Sequence, residues 1–339
     1  SPAAGGGQMI AAGASQLCGS TDPGTVSAPP PEILLEARNL DISFDTYGQP
    51  NRVVENLNLT LMKGEILGLV GESGCGKSVF ARSILRLLPS PPARLKGELI
   101  FRGENLLGVD KKRLRSVRGG EISMIFQEPM TSLNPVFTVG QQMSEVLHLH
   151  TGADRKKARR VGCELLAAVK MPDPETAFDK YPHELSGGQR QRVMIAMELS
   201  CNPALLIADE PTTALDVTVQ GQVLSLLNDL TRARGVSTLF ITHDLGVVAQ
   251  LCDRVAVMYA GCLVELAPVK LLFARSAHPY TRGLLAAIPT LADPRENLSS
   301  TPGQVPDFTE PPIGRRVHPP RARRTVCRLV QPPALKPVR

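Results

Sequence analysis

Residues Gly71-Glu-Ser-Gly-Cys-Gly76-Lys77-Ser78 follow the spacing G-x-x-x-x-G-K-S. They come after a short apolar run, EILGLV (65–70), and open a segment of helical spacing, SVFARSILRLL (78–88). A strand that turns through glycines into a helix aims backbone N–H groups and the positive helix end at one point. That point suits a phosphate. Gly71, Ser73, Gly74, Cys75 and Gly76 supply the backbone cradle, and Lys77 reaches toward β- and γ-phosphates. Ser78 offers its hydroxyl to Mg2+. The bland alternative is a chance Gly-rich turn, and the flanking strand and helix weigh against it. Cys75 fills a variable loop position and needs no catalytic role.

The remainder of the chain fits one frame. Leu40, Ile42 and Phe44 alternate with polar residues, as do Leu57, Leu59 and Leu61, which predicts two half-buried strands joined by the loop TYGQPNR. Strand patterns vanish over 128–185, where VGQQMSEVLHL and RKKARRVGCELLAAVK are amphipathic, with Asp154 as the N-cap of the second helix. After Leu185 the sequence alternates again: the apolar helix VMIAMEL (193–199), the strand ALLIAD, a long helix from VQGQVL, the strand STLFIT, then the hairpin RVAVMY–CLVEL. Such alternation predicts an α/β fold with a mostly parallel sheet. ALLIADE ends in two acids, Asp209 and Glu210. Acids at a strand's C-terminal edge beside a phosphate loop suit metal and water chemistry. Alone they are an ordinary strand end meeting solvent. Ser186-Gly187-Gly188-Gln189 opens another helix and is a second anion site at a helix start.

Leu185-Ser-Gly-Gly-Gln189, with the phosphate loop before it and the ADE strand after it, resembles the ATP-binding subunit of ABC transporters over roughly residues 33–290. The resemblance implies a P-loop NTPase of ABC type, with an antiparallel β subdomain and a helical insert. It implies that Gln127 contacts Mg2+ and water, that Asp209 holds Mg2+, and that Glu210 activates the attacking water. It further implies that His243 contacts the γ-phosphate, that Asp216 lies in a loop crossing a dimer, and that Ser186 to Gln189 bind the ATP held by the opposite subunit. An upstream aromatic residue stacks on adenine in that family; Tyr47 is the candidate, with Phe44 as the alternative. The strings QEPMTSLNP (127–135), EPTTALDVTVQ (210–220), VMYAGCLVELAP (257–268), HPYTRGLLAAIP (278–289) and PGQVPD (302–307) resemble the dipeptide/oligopeptide/nickel importer branch. The implied function is ATP hydrolysis powering peptide import. Nickel or small-solute import is the alternative within the branch. An ABC-type ATPase acting on nucleic acid is the alternative outside it. The implied partners are two integral-membrane permease subunits, a second ATPase subunit and an extracytoplasmic substrate-binding protein, without nucleic acid. The implied location is the cytoplasmic face of the bacterial inner membrane.

Composition bounds these readings. With 339 residues the chain has room for two structural units, and no stretch approaches 18 consecutive apolar residues, so none spans a bilayer. The expected organisation is an extension over 1–31 rich in Gly, Ala, Ser and Pro, an ATPase domain over 32–288, and an irregular Pro/Arg-rich extension over 289–339. From Gly314 to Arg339 there are seven Arg and one Lys and no acid, which leaves the other residues at a net −2. The overall +6 therefore reports a basic tail and not a nucleic-acid-binding body. Seven scattered Cys without a CxxC pair predict reduced thiols. Peptide-importer relatives often carry a Cys-rich C-terminal segment suited to an iron–sulfur cluster. Here Arg315 and Arg321 stand near those positions and Cys327 is the sole thiol after Cys262, so no cluster is expected.

Overall fold

The computed structural model describes residues 32–46, 49–127, 132–212 and 216–287. The expected extensions at 1–31 and 289–339, and Tyr47, lie outside the described residues. Strands β1 (Ile33–Thr46), β2 (Gln49–Met62), β4 (Ala93–Phe101) and β5 (Glu104–Asn105) form an antiparallel sheet in the order β2-β1-β4-β5. Strands β3 (Ile66–Val70), β6 (Ile122–Ile125), β7 (Leu205–Asp209), β8 (Ser237–Thr242), β9 (Arg254–Tyr259) and β10 (Cys262–Pro268) form a second sheet in the order β10-β9-β3-β8-β7-β6. All pairs in it are parallel except the hairpin β9–β10.

The parallel strands β3, β7 and β8 are buried along their whole length, which is why they read as continuous apolar runs. Their side chains alternate between two cores. Leu67, Leu69, Leu205, Ile207, Leu239 and Ile241 face the antiparallel sheet, with Phe80, Ala81 and Ile84 of helix α1 (Lys77–Ile84) between the layers. Ile66, Val70, Leu206, Ala208 and Phe240 face the other way, toward the helices.

After α2 (Lys111–Val117) and β6, the insert holds α3 (Val139–Thr151), α4 (Arg155–Ala168) and α5 (Pro174–Asp179). Asp154 caps α4 by accepting from Lys157 N at 2.7 Å, as the sequence predicted. Gly140 and Gly162 let α3 and α4 close on the ring of Phe178, which a Cβ at either glycine would meet at 2.1 and 2.4 Å. The chain returns through α6 (Gly187–Glu198), α7 (Val217–Arg234), α8 (Leu245–Leu251), α9 (Val269–Arg275) and α10 (Pro279–Ala286). No helix among the described residues is long and apolar enough to cross a membrane.

Two predicted boundaries shift. The loop TYGQPNR is mostly strand, because β1 and β2 stay paired out to Thr46↔Gln49. Pro50 is accommodated there since β2 is an edge strand, where a missing N–H costs no ladder bond. Helix α1 ends at Ile84 instead of Leu88: Arg86 turns to a φ of 49° and its guanidinium donates to Val109 O at 2.8 Å.

The carboxylate of Glu198, at the end of α6, accepts from Met124 N of β6 at 3.3 Å. Desolvation pushes its pKa up to about 7, against the opposing hydrogen bonds from the Met124 amide and the Ser123 hydroxyl. The folded state therefore holds a proton that the unfolded chain releases near the ordinary value of 4.5. Stability is expected to fall as pH rises between those two values. Glu198→Gln, which keeps an acceptor for Met124, is expected to flatten that slope and gain on the order of 2 kcal/mol at about pH 8. Urea unfolding across pH checks this.

Candidate functional site

Four parallel neighbours, β3, β8, β7 and β6, end on one edge of the sheet. Their ends and the segments that follow carry Gly71 to Ser78, His243, Asp209 with Glu210, and Gln127 respectively. Ligands of open α/β sheets sit at this edge, beyond the carboxyl ends of the strands.

The phosphate loop is tightly framed. A Cβ on Gly71 would lie 2.1 Å from Met258 O. Gly76, the N-cap of α1, has a φ of 104°, and a Cβ there would meet Met258 Cε at 2.9 Å. Gly76→Ala is expected to cost about 1–3 kcal/mol in stability from the strained backbone. It should also weaken nucleotide binding; thermal unfolding with a nucleotide titration checks both. Lys77 is 5% exposed and folds back on the loop. Its Nζ donates to Gly71 O at 2.8 Å and to Glu72 O at 2.9 Å, and lies 3.7 Å from Cys75 Sγ. Burial pushes the Cys75 thiol above its ordinary pKa, with Lys77 opposing, so the thiol stays protonated and unreactive. Ser73 and Gly74 are exposed on the rim.

Two side-chain groups converge beside the loop. Ser78 Oγ donates to Asp209 Oδ1 at 2.9 Å. Asp209 is fully buried, and its Oδ2 has no hydrogen-bond partner among the described residues. Desolvation raises its pKa, and the Ser78 hydrogen bond pulls it back. A buried carboxylate oxygen without a donor, next to a hydroxyl and a phosphate loop, fits a hard cation. In the second group Gln127 Nε2 donates to Glu210 Oε2 at 3.0 Å, and His243 Nδ1 stands 3.4 Å from Glu210 Oε1. Glu210 has a φ of 48°, a left-handed conformation rare for a non-glycine residue and concentrated at functional sites. Its amide donates to Ile241 O at 3.0 Å, which fixes that turn to β8. Gly71, Ser73, Gln127, Glu210 and His243 line one cleft.

The helix start predicted as a second anion site stands apart from the phosphate loop. Ser186 and Gln189 form a reciprocal capping box at the start of α6, with Ser186 Oγ accepting from Gln189 N at 3.3 Å and Gln189 Oε1 accepting from Ser186 N at 2.9 Å. That leaves the N–H groups of Gly187 and Gly188 at the helix start. Gly188 packs against Val219 of α7, whose side chain a Cβ would meet at 2.9 Å. Asp216 caps α7, accepting from Val219 N at 3.0 Å. Among the described residues no hydrogen bond links Ser186, Gln189 or Asp216 to the phosphate loop. Phe44 is half-buried and packs against the core between the sheets.

Three residues near the site escaped the sequence reading. Gln191, fully buried on α6, donates from Nε2 to Pro211 O, directly after Glu210. Tyr280 touches the phosphate loop, and Leu284 lines the cleft. The string HPYTRGLL flagged the last two as family-like, but no local signal told where α10 would land.

Comparison with known proteins places this fold among ATP-binding cassettes. The family model described as ABC transporter matches residues 54–213, and that described as oligopeptide/dipeptide transporter, C-terminal region, matches residues 264–325. The oligopeptide transport ATP-binding protein OppD of Bacillus subtilis is 53% identical over 83% of this chain and 79% of its own length. The dipeptide transport ATP-binding protein DppD of the same organism is 48% identical over 84% and 85%. A probable peptide ABC transporter ATP-binding protein of Sinorhizobium fredii is 52% identical over 85% and 87%. Among solved structures, a dimeric ATP-binding cassette in a post-hydrolysis state with ADP and Pi aligns at a TM-score of 0.62 and 26% identity, covering 70% of this chain and 99% of that one.

Proposed function

This chain belongs to the ABC transporter ATP-binding family, and from that premise we propose that it is the ATP-hydrolysing subunit of a bacterial importer of dipeptides or oligopeptides. The observation that carries the hydrolytic part of the proposal is the convergence of Lys77, the Ser78–Asp209 pair and the Gln127–Glu210–His243 cluster at four adjacent strand ends; the peptide part rests on the C-terminal family match and the relatives.

In this reading Lys77 exchanges the carbonyls of Gly71 and Glu72 for β- and γ-phosphate oxygens. Ser78, Asp209 and Gln127 would hold Mg2+, which when bound would supply positive charge to the phosphates. Glu210, steadied by Gln127 and His243, takes a proton from water as its oxygen attacks the γ-phosphorus. The bond to the bridging oxygen breaks and ADP leaves with the electron pair. His243 stabilises the charge that develops on the transferred group. Ser186 to Gln189 complete the site of a partner ATPase subunit, and Asp216 caps the helix that follows the crossing loop. Tyr47 stacks on adenine. The helical insert and the Gln127 loop transmit closure to two permease subunits, and an extracytoplasmic binding protein delivers the peptide. The chain then sits peripherally on the cytoplasmic face of the cell membrane.

Lys77→Ala removes a charged donor and should weaken ATP binding by about 10- to 100-fold. A fluorescent-nucleotide titration of the full chain tests this; unchanged affinity contradicts the site.

A further inference from the structure

Helix α10 reaches the phosphate loop from a part of the chain that no nucleotide motif includes. Tyr280 Oη accepts a hydrogen bond from Glu72 N at 3.0 Å, across 208 residues of sequence. Tyr280 is 4% exposed, and its ring packs on Tyr259 with centroids 4.4 Å apart. Burial raises its pKa further above the ordinary value of 10. The start of α10 is itself clamped: Ala277 N and His278 N donate to the two carboxylate oxygens of buried Glu265 on β10, at 2.7 and 3.1 Å. His278 Nδ1 accepts from Tyr280 N at 3.2 Å. One turn along, Leu284 lines the cleft beside Glu72 and Ser73.

The contact has a specific consequence. Gly71 C=O and Glu72 N–H are the two ends of one peptide plane. Lys77 Nζ holds the carbonyl end at 2.8 Å and Tyr280 holds the amide end at 3.0 Å. An ammonium has three N–H donors, and as Lys77 turns them toward phosphate its hold on the Gly71 and Glu72 carbonyls loosens. The Tyr280 contact at the amide end does not depend on that turn, and without it a half-buried amide loses its partner.

We propose that Tyr280 is a positioning residue for the ATP site, holding the Gly71–Glu72 peptide in orientation while Lys77 moves to the nucleotide, and that Glu265 anchors the helix that carries it. Helix α10 thereby supports the nucleotide site from outside its sequence motifs. The inference rests on the reading of residues 71–78 as the nucleotide site.

The test is a titration of the full chain with a fluorescent ATP analogue, alongside thermal unfolding. Tyr280→Phe keeps the ring packing and removes one acceptor; the expected result is about five- to tenfold weaker nucleotide binding, with the melting temperature lowered by no more than a few degrees (~2–5 °C). Glu265→Gln loosens the clamp and should weaken binding in the same direction by a smaller factor. Nucleotide affinity within about twofold of wild type in Tyr280→Phe overturns the proposal, whether or not stability falls, since a purely structural tyrosine moves only the melting temperature. If Lys77→Ala loses nucleotide while Tyr280→Phe does not, the tyrosine's role alone fails. If neither loses it, the site reading fails with it.

Discussion

Glu210→Gln is expected to lower steady-state ATP hydrolysis by about 10²–10³-fold while ATP still binds. The carboxylate lies between Gln127 Nε2 at 3.0 Å and His243 Nδ1 at 3.4 Å, at the end of a buried strand. The amide of Gln is isosteric and can still accept from Gln127, so the loop geometry and the left-handed turn persist. What disappears is the group that can take a proton from water. The Lys77 and Ser78 contacts that hold phosphate are untouched, so binding and turnover should separate. Phosphate release from the assembled transporter is the readout. Near-normal turnover would remove Glu210 from the role of base.

The second large effect concerns which subunit completes which site. The start of α6 is capped within itself, and no hydrogen bond among the described residues joins it to its own phosphate loop. In a dimer of two tagged copies of this chain, Lys77→Ala in one copy and Ser186→Arg in the other should strike the same composite site. The second site stays whole, and about half the activity should remain. Placing both substitutions in one copy should strike both sites and abolish nearly all activity. A site completed within one chain gives the opposite pattern: the separated substitutions are lethal and the combined ones spare half. The ATPase rates of the two mixed dimers decide between them.

The sequence was legible where chemistry and periodicity coincide. The apolar run of β7 ending at Asp209, the cap at Asp154 and the helix start at Ser186 all stand where their side-chain patterns put them. These are local features: an alternation, a capping oxygen, a Gly-rich turn. Strand β4 was missed because its charges and Gly97 hide the period-2 pattern. Gly97 has a φ of 98° and lets the chain pass within 2.4 Å, at its absent Cβ, of Asn39 O. The left-handed Glu210 was equally silent, since nothing in ALLIADE encodes a turn that is fixed by a hydrogen bond from its backbone N–H to Ile241 O. The Tyr280–Glu72 contact lay beyond sequence reading for a different reason. It depends on where β10 and α9 deliver α10, which is a property of the whole second sheet and its helices.

If ATP hydrolysis at this edge of the sheet drives peptide across a membrane, hydrolysis and transport must depend on each other. The direct measurement is peptide uptake into vesicles holding the chain, its partner ATPase and the two permeases, with the binding protein added outside and ATP enclosed. Peptide should accumulate only with ATP, peptide-loaded binding protein should stimulate hydrolysis, and Glu210→Gln should abolish both. Hydrolysis that ignores peptide and permease, or that persists unchanged in Glu210→Gln, would contradict it.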